Sequence, residues 1–262
     1  MNLDLTGKSA LVCGSTQGIG RACAVELANL GAECVLFARN EGTLADVARS
    51  LPTPKGQKHS FLSADFARPD DVGAKVKGAV AAGQAFHIVI NNTGGPPGGT
   101  AIDATPEQYL AAFNAQLISA QVIAQAVVPG MKQARFGRFV NIISTSVKQP
   151  IPNLGVSNTA RAAVASWAKT LSAELGPFGI TVNNILPGYT KTERLKSLVA
   201  ARSKARGVAE SVIEQEFIAT IPAGRFAEPE ETAAAAAFLC TPAAAYINGI
   251  NVPVDGGRLG TL

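Results

Sequence analysis

The chain has 262 residues, of which 47% are hydrophobic and 16% charged, and its formal net charge is +4. A composition this apolar excludes intrinsic disorder, and the length suits one α/β domain with a sizeable core. No basic arm suggests nucleic acid as a partner, and no apolar run reaches the roughly 18 residues of a membrane span. Because the N-terminus lacks a secretory pattern and the four cysteines lack metal-ligand or disulfide spacing, we expect a cytoplasmic, metal-free protein.

Short apolar runs alternate with longer helical stretches along the chain. We predict strands at residues 9–13, 33–38, 59–63, 87–91, 138–143, 181–185 and 251–254. We predict helices at residues 19–30, 43–50, 69–82, 106–133, 156–175 and 230–240. This alternation is typical of parallel strands covered by helices on both faces. The sequence therefore predicts one doubly wound α/β domain over residues 1–262, with a seven-stranded parallel sheet.

A glycine-rich turn follows the first predicted strand, and a helix begins directly after it. Gly14, Gly18 and Gly20 have the spacing Gly-x-x-x-Gly-x-Gly. Glycines allow the backbone to approach a pyrophosphate closely, and a helix N-terminus offers it unpaired N–H groups. Such a turn can also be a simple tight connection. Its position in the first strand–helix unit of an alternating chain favours dinucleotide binding.

Motifs along nearly the whole chain resemble those of the short-chain dehydrogenase/reductase family, most closely its three-oxoacyl-reductase-like members. The matching segments are residues 14–20, 65, 91–94, 138–144, 182–183, 187–188, 221–226 and 254–257. The resemblance implies a Rossmann fold, a nicotinamide cofactor, a small carbonyl or alcohol substrate, and a homotetramer or homodimer. It also implies cofactor contacts at Gly14, Ser15, Thr16, Gln17, Gly18, Ile19, Gly20, Asp65, Phe66, Asn91, Gly94, Pro187, Gly188 and Thr190.

The end of the second predicted strand bears on which nicotinamide dinucleotide is bound. An acidic residue there would accept hydrogen bonds from the adenosine ribose, but this chain has Ala38 followed by Arg39. A guanidinium can pair with a 2′-phosphate, so NADP(H) is favoured over NAD(H), although Arg39 could also be a simple surface residue. In the same way, Asp65 could cap a turn and Asn91 could satisfy backbone groups at a strand end.

The sequence departs from the family at the catalytic residues. The family uses a serine, a tyrosine thirteen residues later, a lysine four residues after that, and an asparagine on the preceding long helix. Ser144 keeps the serine, whereas Ser157, Arg161 and Gln116 stand at the other three positions. A serine hydroxyl is a much weaker acid than a phenol, so Ser157 cannot simply replace the tyrosine.

Other residues could take over part of the lost chemistry. Arg161 could hold the nicotinamide ribose or a substrate carboxylate, or both Ser157 and Arg161 could be ordinary polar residues at a vacated site. Tyr189 and Lys148 lie in loops expected near the nicotinamide and could move a proton, although loop residues of these types are often merely exposed. His59 and His87 are weaker candidates for moving a proton, because they stand at strand starts, away from the ligand-binding ends.

Residues 192–220 form a helical insertion that we expect to be a substrate lid above the carboxyl ends of the strands. Its first half is basic and its second half acidic, which fits either an anionic substrate or a solvated helix face. The leading hypothesis is an NADP(H)-dependent oxidoreductase with an atypical active site. The alternative is a catalytically silent dinucleotide-binding sensor or partner subunit.

Overall fold

The computed structural model describes residues 1–261 and shows a parallel sheet with helices on both faces. The strands are β1 (Ser9–Cys13), β2 (Glu33–Ala38), β3 (Ser60–Ser63), β4 (Ile88–Asn91), β5 (Gly137–Ile142), β6 (Ile180–Pro187) and β7 (Asn251–Val254). The α-helices are α1 (Gly18–Asn29), α2 (Glu41–Ser50), α3 (Pro69–Ala81), α4 (Pro106–Phe113), α5 (Ser119–Ala134), α6 (Gly155–Leu175), α7 (Glu193–Arg206), α8 (Glu210–Ala219) and α9 (Pro229–Cys240). The predicted seven-stranded, doubly wound fold is confirmed.

The strand order is β3-β2-β1-β4-β5-β6-β7, and every neighbouring pair is parallel. After β1 the chain builds outwards to β2 and β3, and it then crosses back to place β4 on the other side of β1. The loops after β1 and β4 therefore diverge, and they leave a crevice at the carboxyl ends of these strands. Ligands of open α/β sheets bind at such a point.

Two apolar layers cover the two faces of the sheet. On one face, Leu27 of α1 and Ala236 of α9 pack with Ile90 of β4. On the other, Ile123 of α5 packs with Phe139 of β5. Strands β1, β4 and β5 are buried along their whole length, which explains why Ala10–Cys13 and Ile88–Ile90 are continuously apolar rather than alternating. Strand β5 also buries two polar side chains, Arg138 and Asn141.

The predicted long helix at residues 106–133 is present, but it is not a regular α-helix throughout. A π-helical turn, Asn114–Ile118, separates α4 from α5. Such a turn accommodates one extra residue within a helix, so it rotates the helix faces on either side relative to each other. An apolar pattern read at a single helical period does not reveal it.

The helical stretch Pro106–Ala134 is long and apolar enough to cross a membrane by length and composition. The sequence analysis expected no such stretch, because it considered only uninterrupted apolar runs. Length and composition alone are weak evidence, because core helices pass the same test. Ile123, Val127 and Met131 of α5 are buried in the core beneath the sheet. The apolar face of α5 therefore packs inside the domain.

Residues 192–220 fold into the helix pair α7 and α8, as predicted for the insertion. The pair has a small core of its own, in which Leu195 and Val199 pack against Ile213 and Phe217. Thr192 caps the N-terminus of α7, since its side chain accepts a hydrogen bond from the Leu195 N–H. The helix pair is thus a separately packed layer above the sheet edge.

Candidate active site

A cleft of about 1430 Å³ opens at the carboxyl ends of the strands. Its floor includes the glycine-rich turn after β1 and the loop after β4, and α6 forms part of its wall. The first helix of the insertion, α7, contributes Thr192, Arg194 and Leu198 to the lining. The cleft therefore lies where the strand order places a ligand site, with the insertion beside it.

Backbone contacts shape the glycine-rich turn. Gly14 has a φ of 60°, and a Cβ at this position would lie 2.5 Å from the Asn92 carbonyl oxygen. A Cβ at Gly20 would lie 2.2 Å from the Gly14 carbonyl oxygen. Asn92 joins the turn to the β4 loop by donating from Nδ2 to the Gly14 oxygen at 3.2 Å. Its glycines thus expose backbone at the N-terminus of α1, which fits the pyrophosphate of a dinucleotide.

Most residues expected at the cofactor line this cleft. They are Gly14, Thr16, Gln17, Gly18, Ile19, Arg39, Asp65, Phe66, Gly94, Pro187, Gly188 and Thr190. Ser15, Gly20 and Asn91 do not line it. Ser15 is buried, and its Oγ accepts a hydrogen bond from the Phe37 N–H at 3.0 Å, so its side chain fastens the turn to β2. Gly20 has no side chain, which allows α1 to pack closely against the turn.

Asn91 belongs to a row of asparagine side chains that crosses four neighbouring strands. Its Nδ2 donates to Oδ1 of Asn141, Asn141 donates in the same way to Asn184, and Asn184 to Asn251, each at 2.8 Å. These residues are direct partners in the strand registers. The alternative interpretation of Asn91, a structural role at a strand end, therefore describes its side chain better than a cofactor contact does.

The adenosine end of the cleft has one cation and one carboxylate. Arg39 lines the cleft at the end of β2, and it has no ion pair within residues 1–261. Asp65 lines the cleft too, while its Oδ1 accepts a hydrogen bond from the Ala67 N–H at 3.0 Å. Asp65 thus caps a turn, as the structural alternative expected, and still faces the space expected for adenine.

Ser144, Ser157 and Arg161 line one cleft, although the first comes from the loop after β5 and the others from α6. The Ser144 Oγ accepts a hydrogen bond from the Ser146 N–H at 3.1 Å, which orients it. Its own hydroxyl proton stays available to a ligand. Ser157 and Arg161 are each 9% exposed and lie one helical turn apart on the buried face of α6.

Arg161 is the most strongly perturbed cation of the site. Its Nη1 donates to the Ile142 carbonyl oxygen at 2.9 Å. Burial, and then the positive charge of Arg194, lower the pKa of Arg161 to about 10. The guanidinium therefore remains protonated at neutral pH, but the protein holds it without a compensating carboxylate within residues 1–261.

Gln116 lies outside the cleft. The π-helical turn places it against a small internal cavity of about 20 Å³, which Asn91 and Arg161 also line. Neither Nε2 nor Oε1 of this buried amide has a hydrogen-bond partner in the described chain. Gln116 therefore does not reach the cleft itself, and it shares this cavity with Arg161, which lines both.

Tyr189 and Lys148, the alternative proton donors, differ in placement. Tyr189 lines the cleft; its ring stacks on Phe217 with centroids 4.4 Å apart, and its hydroxyl accepts from Arg258 Nη2 at 3.4 Å. Lys148 ends a short helical turn after Ser144 and is outside the cleft lining. His59 and His87 accept hydrogen bonds from the N–H groups of Cys34 and Ser9, near the amino ends of β2 and β1, far along the strands from the site.

Two residues of the cleft escaped sequence reasoning. Asn92 lies in the motif at residues 91–94 and received no predicted role, although its side chain joins the glycine-rich turn to the β4 loop. Arg194 was one of several basic residues of the insertion, yet it lines the cleft and donates from Nη2 to the Pro96 carbonyl oxygen at 2.7 Å. The sequence contains no signal that separates Arg194 from its basic neighbours.

The fold, the glycine-rich turn and the cleft together define a dinucleotide-binding oxidoreductase class. Residues 14–258 match the family described as enoyl-(acyl carrier protein) reductase. The chain is 32% identical to the 3-oxoacyl-[acyl-carrier-protein] reductase FabG of Pseudomonas aeruginosa, over 97% of this chain and 98% of that protein. The chain therefore belongs to the short-chain dehydrogenase/reductase family, among its 3-oxoacyl-reductase-like members.

Two further relatives are named for the nucleotide that they use. The NADPH-dependent reductase BacG of Bacillus subtilis is 28% identical over 97% of this chain and 99% of that protein. The crystal structure of L-sorbose reductase from Gluconobacter frateurii, complexed with NADPH and L-sorbose, is similar with a TM-score of 0.92 and 32% identity. That similarity covers 100% of both chains. These relatives agree with the cofactor expected from Ala38 and Arg39.

Proposed function

We propose that the protein is an NADP(H)-dependent oxidoreductase that moves a hydride between the dinucleotide and the carbonyl or alcohol group of a small molecule. The observation that carries this proposal is one continuous cleft. It joins the glycine-rich turn and Arg39 at one end to Ser144, Ser157 and Arg161 at the other. Relatives described with NADPH support the same nucleotide here.

The chain has the residues to hold this cofactor along the cleft. The pyrophosphate fits the cradle of Gly14 and Gly18 at the N-terminus of α1. Arg39 supplies the cation for a 2′-phosphate, and Ala38 leaves that position without a competing carboxylate. When bound, the nicotinamide supplies or accepts the hydride, and the protein contributes position and electrostatics.

Ser144 is the group that meets the reacting oxygen of the substrate. Its Oγ accepts from the Ser146 N–H, which fixes the oxygen and leaves the hydroxyl proton to donate to a substrate carbonyl. A fixed donor of this kind stabilises negative charge that develops on the carbonyl oxygen during reduction. The buried cation of Arg161 acts in the same direction, since it raises the positive potential in this part of the cleft.

The proton that completes the reduction needs a source other than the family's phenol. Ser157 is too weak an acid to provide it at neutral pH. Tyr189 is the one tyrosine among the described residues that line the cleft, and Arg258 holds its hydroxyl in place. We therefore include Tyr189 in the catalytic set, with Ser157 and Arg161 as residues that position the substrate. Gln116 acts at one remove, through the internal cavity that it shares with Arg161.

A silent dinucleotide-binding sensor or partner subunit is the second candidate. The loss of the tyrosine and lysine positions to Ser157 and Arg161 favours it. The two functions differ in turnover, so the test is NADPH consumption with a broad panel of ketones, aldehydes and oxo acids. Catalysis predicts a rate that Ser144→Ala lowers by ~10²- to 10³-fold, with unchanged NADPH affinity. Ser60→Ala, an exposed serine on β3, is the control.

No turnover above that of Ser144→Ala with any compound, together with tight NADPH binding, would contradict the enzyme and support the sensor. Failure to bind NADPH would contradict both functions. Because the residues of the cofactor end and of the reaction end are separate, these outcomes can be read independently.

The protein is also proposed to be a cytoplasmic homotetramer or homodimer, with α7 and α8 as its substrate lid. Large apolar side chains are exposed on the α4–α5 surface, where Leu110 is 63% and Ile118 40% exposed, and near the C-terminal region at Tyr246. Burial of such side chains between subunits would stabilise an assembly. Light scattering that gives a monomer at micromolar concentration would contradict it.

A further inference from the structure

The basic residues of the insertion fall into two groups. Lys196 and Arg206 pair with Glu193 and Glu216 on the surface of the helix pair. These ion pairs are the solvated charges that a surface helix commonly has. Arg194 has no ion pair within residues 1–261, and it lines the cleft beside Gly95. Arg202 also lines the cleft, but its guanidinium lies over the Phe217 ring, 5.0 Å from the centroid. Arg194 therefore has neither an acid nor an aromatic ring as a partner within residues 1–261.

Arg161 is another cation of the cleft without an acidic partner within residues 1–261, and unlike the exposed Arg39 it is buried, one helical turn from Ser157. It extends from α6, whereas Arg194 extends from α7 and reaches the loop after β4 through its bond to the Pro96 oxygen. Each guanidinium uses one nitrogen for a backbone carbonyl, and the hydrogen bonds of the described residues leave its other N–H groups without an acceptor. A guanidinium has five N–H donors in a planar fork. Several donors from two directions are therefore available to one ligand.

Two like charges that act on each other in a partly enclosed cleft are unfavourable unless an anion joins them. The carboxylates that line the same cleft do not serve. Glu193 is paired with Lys196, and Asp65 lies at the expected adenosine end, where it caps a turn. Glu230 lines the cleft from the first turn of α9 and forms an ion pair with neither arginine. An anionic ligand would supply the charge that these carboxylates do not.

We propose that Arg161 and Arg194 bind a carboxylate of the substrate, so that the protein acts on small oxo acids or the corresponding hydroxy acids. This inference rests on the proposed oxidoreductase function. The planar fork of a guanidinium matches the two oxygens of a carboxylate, and Ser144 lines the same cleft for the carbonyl to be reduced. The reduction consumes NADPH and one proton, and it yields NADP⁺ and the hydroxy acid.

The phosphates of the dinucleotide are the competing anion. Thr192, two residues before Arg194, lies over the glycine-rich turn, since a Cβ at Gly18 would be 3.1 Å from its Cγ2. Arg194 nevertheless bonds to the Pro96 carbonyl oxygen, beyond Gly94 in the loop after β4. The substrate is the ligand that we assign to it, and the experiment must separate the two anions.

The experiment compares acids with their neutral esters. Wild-type protein is titrated by calorimetry, first with NADP⁺ and then, as the NADP⁺ complex, with 2-oxobutyrate, acetoacetate and levulinate and with their methyl esters. The oxidised nucleotide cannot reduce these ketones, so binding is measured apart from turnover. NADPH consumption with the same six compounds gives the catalytic rates. The three acids vary the distance between carboxylate and carbonyl.

We expect at least one acid to bind and to react better than its ester. Arg194→Met and Arg161→Met should each lower the acid-to-ester preference by ~10- to 150-fold, because each removes charged hydrogen bonds. The affinity for NADP⁺ should change little in both variants, and Arg194→Met should leave the rates with the esters nearly constant. Arg161→Met should also lower the ester rates, because it removes positive potential beside the reacting carbonyl. Lys204→Met, an exposed lysine of α7 outside the cleft, should leave the preference unchanged.

Equal binding of all acids and esters would overturn the carboxylate site and leave the hydride-transfer proposal intact. So would an Arg194→Met variant that loses affinity for NADP⁺ as strongly as for the acid, since the anion would then be a nucleotide phosphate. Acid binding that depends on both arginines, without any NADPH consumption, would support the site and contradict the oxidoreductase. Arg194 is exposed, so its variant keeps the test decisive even if Arg161→Met does not fold.

Discussion

The two ends of the cleft differ in how closely their residues match the family. At the cofactor end, the glycine-rich turn, Asn92 and the loop after β4 interlock through backbone atoms, and the residues match the family. At the reaction end, the serine is kept as Ser144, while Gln116, Ser157 and Arg161 replace the other three catalytic positions. Both ends rest on the same sheet. One fold can therefore keep the residues of a nucleotide cradle while the residues at the reaction end differ.

The difference has a steric origin. A cradle made of backbone tolerates no Cβ at Gly20, because that atom would meet the Gly14 carbonyl oxygen. The side chains of Ser157 and Arg161 instead project from a helix whose backbone is indifferent to their chemistry. The cofactor end is therefore constrained by close backbone contacts, and the reaction end by the surroundings of its side chains.

Restoring the family's residues at the reaction end should give the largest effect. Ser157→Tyr with Arg161→Lys is expected to raise turnover of neutral ketones by ~10²- to 10⁴-fold, the usual contribution of general acid–base catalysis. NADPH affinity should stay nearly constant, and preference for oxo acids should fall with the loss of Arg161. Steady-state kinetics with both substrate types measure this.

Gln116 limits that gain, since the asparagine position remains altered. Wild-type protein that already reduces neutral ketones as fast as the double variant would show that another acid operates. Tyr189→Phe would then be the next variant to measure. No gain in a folded, NADPH-binding double variant would mean that the reaction end has diverged beyond these two positions.

The cofactor end should respond through nucleotide choice rather than turnover. Ala38→Asp with Arg39→Leu introduces a ribose acceptor and removes the cation for the 2′-phosphate. We expect the ratio of NADP(H) to NAD(H) affinities to fall by ~10- to 150-fold, as for loss of charged hydrogen bonds. Fluorescence titration of both nucleotides measures the ratio. Equal affinities in the wild type would refute the assignment of Arg39.

A pair of glycine substitutions tests the steric argument itself. Gly20→Ala should lower the free energy of unfolding by ~1–3 kcal/mol, because the added methyl overpacks the contact with Gly14. Gly78→Ala, at an exposed position in α3 with no atom within 4 Å of the new Cβ, should raise it by ~0.5–1 kcal/mol. Urea denaturation gives both values. Similar effects at the two sites would mean that the α1 contact is not tight.

Much of this architecture could be predicted before the structure. Apolar runs with the period and length of buried strands located all seven strands, and both ends of β1, β2 and β7 were predicted correctly. The ends of β5 and β6 shifted by one or two residues, because strand ends depend on the pairing partner. The π-helical turn at Asn114–Ile118 was missed, since one inserted residue changes a helix face without changing its composition.

The sequence by itself determined which strand each candidate site residue follows: the glycine-rich turn comes after β1, Arg39 after β2 and Ser144 after β5. It also placed Ser157 and Arg161 one helical turn apart. These features are local, and spacing along the chain encodes them. Only the tertiary structure decided the partners. It paired Lys196 and Arg206 of the lid with glutamates, left Arg194 and Arg161 to the cleft, and placed Asn91 in the asparagine row. The contacts of Asn91 with Asn141 and of Arg194 with Pro96 join residues 50 and 98 positions apart, and packing rather than sequence separation selects them.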